Sequence, residues 1–259
     1  MAPLKLHGIA MSTCTGRVMA TAFEKGAPFE LQPVDVYSGA HKEPDFLALQ
    51  PFGVIPVLQD EGLTIFESRA IARYIANKYE GEGTALYGKS LQEKAKVEQW
   101  LEVESQNYNP PIATIVGQLV FMPMRGQPTE EAVVSDNIAK LEKVLDIYER
   151  HLATNEYLAG DFFSLADLSH LPYTHYLINL AKKGEVITSR KHVNACALLG
   201  SKSFNLPLRS KPQERFFKPC LSYMTFSVYP LSPKLVLESP LPLACPISLI
   251  NSSSLFSVS

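Results

Sequence analysis

Residues 55–79 read "IPVLQDEGLTIFESRAIARYIANKY", and two patterns follow each other within them. Asp60-Glu61-Gly62 is a turn-type cluster with a short apolar strand pattern on either side, which predicts a hairpin. Glu67-Ser68 then opens a helix in which Ile71, Tyr74, Ile75 and Tyr79 share one face, and Gly81-Glu82-Gly83-Thr84 ends it. Working outward, Leu4-Lys5-Leu6-His7 alternates like a strand that stops at Gly8. Val18, Met19, Ala22 and Phe23 recur at helical spacing up to Gly26, and Phe29 to Val36 reads as a second strand. The order β-α-β, hairpin, helix describes a small α/β unit over residues 1–80.

The composition shifts over residues 81–90, which read as a linker. From 91 to 195 the pattern is helical. Val97, Trp100, Leu101 and Val103 open a long helix that Pro110-Pro111 should kink or interrupt. Thr129-Glu130-Glu131 starts another, with Leu141, Val144, Leu145, Tyr148 and Leu152 as its apolar stripe. Ser164 and Asp167 have capping-box spacing, a structural role. Residues 196–259 are dense in Ser, Pro and Leu and show no sustained helical period, and the prolines would interrupt any helix.

A chain of 259 residues accommodates one large domain or two smaller ones. Hydrophobic residues at 46%, charged residues at 19% and a net charge of −2 suit a soluble globular protein. They carry no electrostatic footprint for nucleic acid or an anionic membrane. No apolar run approaches the roughly 18 residues of a membrane span. The N-terminus lacks a signal-like pattern, so the expected location is cytoplasmic. Four cysteines occur, Cys14, Cys196, Cys220 and Cys245. None has a C-x-x-C partner, which argues against a dithiol redox motif and a zinc site.

Chemistry enters at residues 10–18, "AMSTCTGRV", where a strand pattern gives way to a helical one. Ser12 and Cys14 both lie at that junction, and a serine there is ordinarily a helix cap. The strings "APLKLHGIAMS" (2–12), "AHKEPDFLALQPFG" (40–53), the quoted 55–79 segment and "YLAGDFFSLADLSHLPYTHYLIN" (157–179) together resemble the glutathione transferases, in particular the plant phi class. The likeness covers residues 1–195. It implies an α/β thioredoxin-like N-terminal domain (1–80) and an all-α C-terminal domain (91–195); the tail (196–259), which its composition marks as atypical and poorly ordered, lies outside the likeness.

The resemblance also implies glutathione as cosubstrate, with no metal or other cofactor, and conjugation of its thiolate to hydrophobic electrophiles in detoxification or stress response. Ser12 matches the serine that donates its hydroxyl to the glutathione sulfur. Because the thiolate is the nucleophile, a donor and a helix N-terminus beside it are the physical requirement. Cys14, two positions later, is the runner-up for the chemistry; related families place a cysteine where Ser12 stands. His41 and Lys42 match the pair that meets the glycyl carboxylate, and Ile55-Pro56 the cis dipeptide that pairs with the cysteinyl backbone. Glu67 and Ser68 match the residues that hold the γ-glutamyl end.

Two departures stand out. Val54 occupies a position where the family usually has a glutamine that hydrogen-bonds glutathione, so weaker binding is expected. After His192-Val193-Asn194-Ala195 the family continues into a tryptophan-containing helix, whereas residues 196–259 read like an altered frame or a retained intron. Met11, Ile115, Leu119 and Phe121 are candidate linings of the electrophile site, with ordinary core or interface positions as the alternative, since apolar stripes at helical spacing usually face a core. A homodimer is expected, with Phe52 where relatives place an interface anchor. The alternatives are a non-catalytic carrier of flavonoid- or hormone-like ligands and a non-productive splice or frameshift variant.

Overall fold

In the computed structural model, which describes residues 2–204, the alternation of Leu4, Lys5 and Leu6 puts both leucines on one buried face of strand β1 (Leu4–Gly8) and leaves Lys5 exposed. β1 is central. It pairs in parallel with β2 (Phe29–Pro33) and antiparallel with β3 (Val57–Asp60), which turns back into β4 (Leu63–Phe66) for the order β2-β1-β3-β4. The second strand ends three residues before the sequence pattern suggested, at Pro33, and one further bond, from the Val34 N–H to the Gly8 carbonyl at 3.2 Å, closes the pairing with β1. The β3–β4 turn has positive φ at both Glu61 (46°) and Gly62 (90°), the primed geometry that matches strand twist.

Helices α1 (Thr13–Glu24) and α3 (Ser68–Lys78) cover the leucine face, where Val18, Met19, Ala22, Ile71 and Ile75 join Leu4, Leu6 and Leu58 in one core. The single turn α2 (Pro44–Leu47) places Phe46 against Val34 and Val57 in a smaller cluster. Gly8 has a specific reason to be glycine. A Cβ there would stand 2.5 Å from the Thr15 hydroxyl oxygen, so only bare backbone lets the strand end approach the first turn of α1.

The remaining described elements are helical: α4 (Leu91–Val103), α5 (Asn109–Val116), α6 (Met122–Met124), α7 (Glu131–Leu152), α8 (Leu165–Asn179), α9 (Glu185–Thr188) and α10 (Lys191–Phe204). Pro110 and Pro111 do not break the run. Glu104–Tyr108 widens into π-helical turns just ahead of them, and the helix continues through the two prolines into α5. Ser164 and Asp167 form the full reciprocal capping box at the start of α8. Small residues let the two halves meet closely. Ala20, Ala72 and Ala76 of α1 and α3 pack with Val97, Leu101, Leu165 and Leu168 of α4 and α8.

The expectation of a featureless segment from residue 196 is corrected at its start. α10 runs on to Phe204, because Pro207 is the first helix-breaking residue after Ala195 apart from Gly200. The expected poor order of the tail beyond 204 lies outside the described residues.

Candidate functional site

Ser12 caps α1 from an extended conformation (φ −74°, ψ 126°), its hydroxyl oxygen accepting from the Thr15 N–H at 3.3 Å. Its own hydrogen is given to no acceptor among the described residues. The first turn of α1 contains no acidic residue, so the helix supplies no charge of its own against the positive end of its dipole. Cys14, half-buried in that first turn, meets an Arg17 Nη1 at 3.9 Å.

The start of α3 is built differently. Glu67 has φ 69° and ψ 108°, a left-handed conformation that costs a non-glycine residue on the order of 1–3 kcal/mol. Its exposed carboxylate has no partner among the described residues. Ser68 follows, buried, with its oxygen accepting from Arg17 Nη1 at 2.6 Å. The first turn of α3 also lacks an acidic residue, and no side chain caps it. Its free N–H groups therefore suit an anion.

The loops between complete the cleft. Lys42 donates to the Phe52 carbonyl at 3.1 Å, and Gln50, fully buried, accepts the Phe52 N–H at 2.6 Å. Gly53 has φ 58°, and a Cβ there would stand 2.7 Å from the His41 carbonyl oxygen, which binds the 50–54 loop to the His41 turn. His41 Nδ1 is buried without a partner among the described residues. Ile55-Pro56 is cis, and the Ile55 N–H and C=O carry no hydrogen bond among the described residues. Val54 is 45% exposed beside them and offers only methyl groups.

The electrophile candidates separate. Tyr176 of α8 donates to the Met11 carbonyl at 2.6 Å, and its ring lies 5.6 Å from that of Phe121, so Met11 and Phe121 come together through a residue the sequence pattern had not singled out. Leu119 is partly buried against the helical core. Ile115 is corrected: it is completely buried among Tyr108, Leu141, Leu145 and Tyr176, and it lines no open surface. A different cavity of about 40 Å³, bounded by Leu145, Tyr148, His170, Val193 and Cys196, lies between α7, α8 and α10. It carries no chemistry. Burial and the adjacent Asp167 carboxylate push the Cys196 thiol pKa up, and both His170 nitrogens are already bonded.

Sequence reasoning also missed Arg17, Arg69 and Glu104. Arg17 and Glu104 are completely buried and paired at 3.5 Å, and Arg69 bonds the same carboxylate at 2.6 Å. A signal existed: Arg17 is the sole charge in α1 before Glu24, amid small and apolar residues.

The family model for the glutathione S-transferase N-terminal domain matches residues 2–77, and that for the C-terminal domain matches residues 112–198. The chain belongs to the glutathione S-transferase family. Among its plant phi-class relatives, glutathione S-transferase F10 of Arabidopsis thaliana is 51% identical over 179 residues, covering 69% of this chain and 83% of the relative. Glutathione S-transferase 3 of Zea mays is 48% identical over 195 residues, 75% of this chain and 87% of the relative. The crystal structure of glutathione transferase F7 from Populus trichocarpa superimposes with a TM-score of 0.76 at 49% identity, covering 86% of this chain and all (100%) of that one. Maize glutathione S-transferase I, solved with an atrazine glutathione conjugate, has a TM-score of 0.72 at 38% identity, covering 79% of this chain and 95% of that one. Within this glutathione S-transferase, Ser12, His41, Lys42, Val54, Ile55, Pro56, Glu67 and Ser68 all fall inside the N-terminal domain match. No helix among the described residues is long and apolar enough to cross a membrane.

Proposed function

We propose that the chain conjugates glutathione to hydrophobic electrophiles, with Ser12 donating its hydroxyl to the thiolate. The observation that carries this reading is the uncommitted Ser12 hydrogen at the N-terminus of α1, whose first turn holds no acidic residue. A donor and a helix dipole at one point favour the ionised sulfur over the thiol. Glu67 receives the γ-glutamyl ammonium, and Ser68 with the α3 N-terminus receives the adjacent carboxylate. Ile55 pairs with the cysteinyl backbone in the manner of an added strand. His41 and Lys42 face the glycyl carboxylate, and the electrophile lies near Met11 and Phe121. The maize relative's conjugate of glutathione with atrazine is consistent with a substrate of that character.

Phe52, 70% exposed, is the proposed anchor of a homodimer. Val54 favours a second reading, a carrier that binds apolar ligands without turnover, because it removes a glutathione contact. Turnover of an aryl halide with glutathione, lost in Ser12→Ala, supports the enzyme; ligand binding with no turnover in the unaltered chain supports the carrier.

A further inference from the structure

Arg17 presents an unusual economy of contacts. It is completely buried, contributed by the middle of α1, and its head sits where α1, α3, α8 and the π-helical turn at Glu104 converge. Nη1 donates to Ser68 Oγ at 2.6 Å, and Nη2 donates to the Ser169 carbonyl at 3.3 Å and faces Glu104 Oε1 at 3.5 Å. Nε has no partner among the described residues. A buried ion pair is weak evidence for stability, because desolvation opposes the attraction and apolar replacements often serve as well. A guanidinium retained there with one N–H unsatisfied calls for another explanation.

The chemistry of the hydroxyl supplies one. A guanidinium has donors and no acceptor, so the direction of the Arg17–Ser68 bond is fixed: arginine donates and the serine oxygen accepts. The Ser68 hydrogen therefore cannot point at Arg17, and no other acceptor takes it among the described residues. It is left to point outward, at the N-terminus of α3. Charge acts in the same sense. Two guanidinium groups, of Arg17 and Arg69, surround the single carboxylate of Glu104, which leaves net positive charge behind Ser68.

We infer that Arg17 is a positioning residue for glutathione: it fixes Ser68 as a hydrogen-bond donor, and with Arg69 it biases the α3 N-terminus toward the γ-glutamyl α-carboxylate. The inference rests on the glutathione reading above. Arg17 touches no ligand; it acts through the orientation of Ser68 and the local potential.

The test uses the full chain and three thiols in parallel. These are glutathione, its analogue with 4-aminobutanoyl in place of the γ-glutamyl unit, which lacks the α-carboxylate, and the glycyl monoethyl ester, which blocks the other carboxylate. In Arg17→Met, glutathione and the ester both bind about tenfold or more weaker than to the unaltered chain, while affinity for the 4-aminobutanoyl analogue is unchanged. The glutathione KM rises by the same factor and kcat at saturation stays within about twofold, because the contact is equal in ground and transition states. Ser68→Ala produces the same selective loss, and Arg17→Met adds little to it. Should Arg17→Met not fold, Arg17→Lys keeps charge opposite Glu104 without a planar fork spanning Glu104 and Ser68, and shows the same selectivity at smaller amplitude. An equal loss for all three thiols, or a loss in kcat alone, overturns the inference and leaves the glutathione reading standing. An unaltered chain that binds no glutathione overturns both.

Discussion

Removing the Ser12 hydroxyl tests the chemistry most directly, and its effect can be sized beforehand. A hydrogen bond to a charged group contributes about 1.5–3 kcal/mol. If that bond exists only with the thiolate, its loss raises the pH of half-ionisation of bound glutathione by about one to two pH units, at 1.36 kcal/mol each. The sign follows from which form is bonded: the donor stabilises the anion, so its removal favours the thiol. At neutral pH the thiolate fraction, and with it kcat, falls about 10- to 100-fold in Ser12→Ala.

The same oxygen caps α1, however, so a fall in activity alone could reflect a damaged helix. Alanine at an N-cap costs about 1 kcal/mol, whereas glycine costs only a few tenths. Ser12→Gly therefore separates the two effects. The thiolate absorbance of the glutathione complex, titrated with pH in the ultraviolet, should shift upward equally in Ser12→Ala and Ser12→Gly, while only Ser12→Ala melts measurably lower. An unshifted titration in both variants, with glutathione still bound, would refute the assignment of Ser12.

Three other outcomes follow from the same contacts. Val54→Gln restores a side-chain donor beside Ile55 and should lower the glutathione KM about two- to tenfold at unchanged kcat, since one net hydrogen bond contributes roughly 0.5–1.5 kcal/mol; an unchanged KM counts against the contact. Cys14→Ala should leave turnover within about twofold, as a thiol that takes no part in ionising glutathione requires, and a large loss would move the chemistry to sulfur. Glu149 binds the His192 and Val193 N–H groups at 3.0 Å through Oε2 and His192 Nδ1 at 2.8 Å through Oε1, holding the first turn of α10. Burial tends to raise its pKa, but those bonds outweigh burial and hold the carboxyl below its ordinary value. Its stabilisation is present above the ordinary glutamate range and is lost as pH falls through the folded value. Glu149→Ala should lower the melting midpoint by about 2–4 °C at pH 7, on a cap-sized contribution near 1 kcal/mol, and the difference should vanish in acid.

The legible parts of the sequence were those where one local rule suffices. The β3–β4 hairpin followed from Asp60-Glu61-Gly62, α3 from its apolar face, and the α8 cap from Ser164 and Asp167. Two other features left alternatives that local rules do not resolve, for different reasons. Pro110 and Pro111 predicted a kink or an interruption, and the helix widens into π-helical turns at Glu104–Tyr108 without ending, a choice between the two that the proline pair alone does not make. Ile115 shares helical spacing with Leu119, which cannot by itself tell a core position from a cleft wall. The helical core took Ile115.

The residues that local rules handled least well are also those at the start of α3. Glu67 lies in a backbone region that disfavours its side chain, and Ser68 is a polar residue buried at a helix terminus. Arg17 is a charge on the apolar face of α1, and Glu104 is a carboxylate inside a π-helical turn. Each is a cost taken alone. Together they are coupled, because Arg17 bonds Ser68 and pairs with Glu104, and Arg69 completes the pair. Sequences that fold well agree with themselves at every level, and concentrated exceptions mark sites where structure is held for another purpose. An apolar residue at 17 would satisfy the packing of α1 against α3 and α8. It would leave Glu104 with one cation and the Ser68 hydroxyl free to rotate, so what Arg17 adds to this junction is direction and charge, the two properties an anionic ligand at the α3 N-terminus can use.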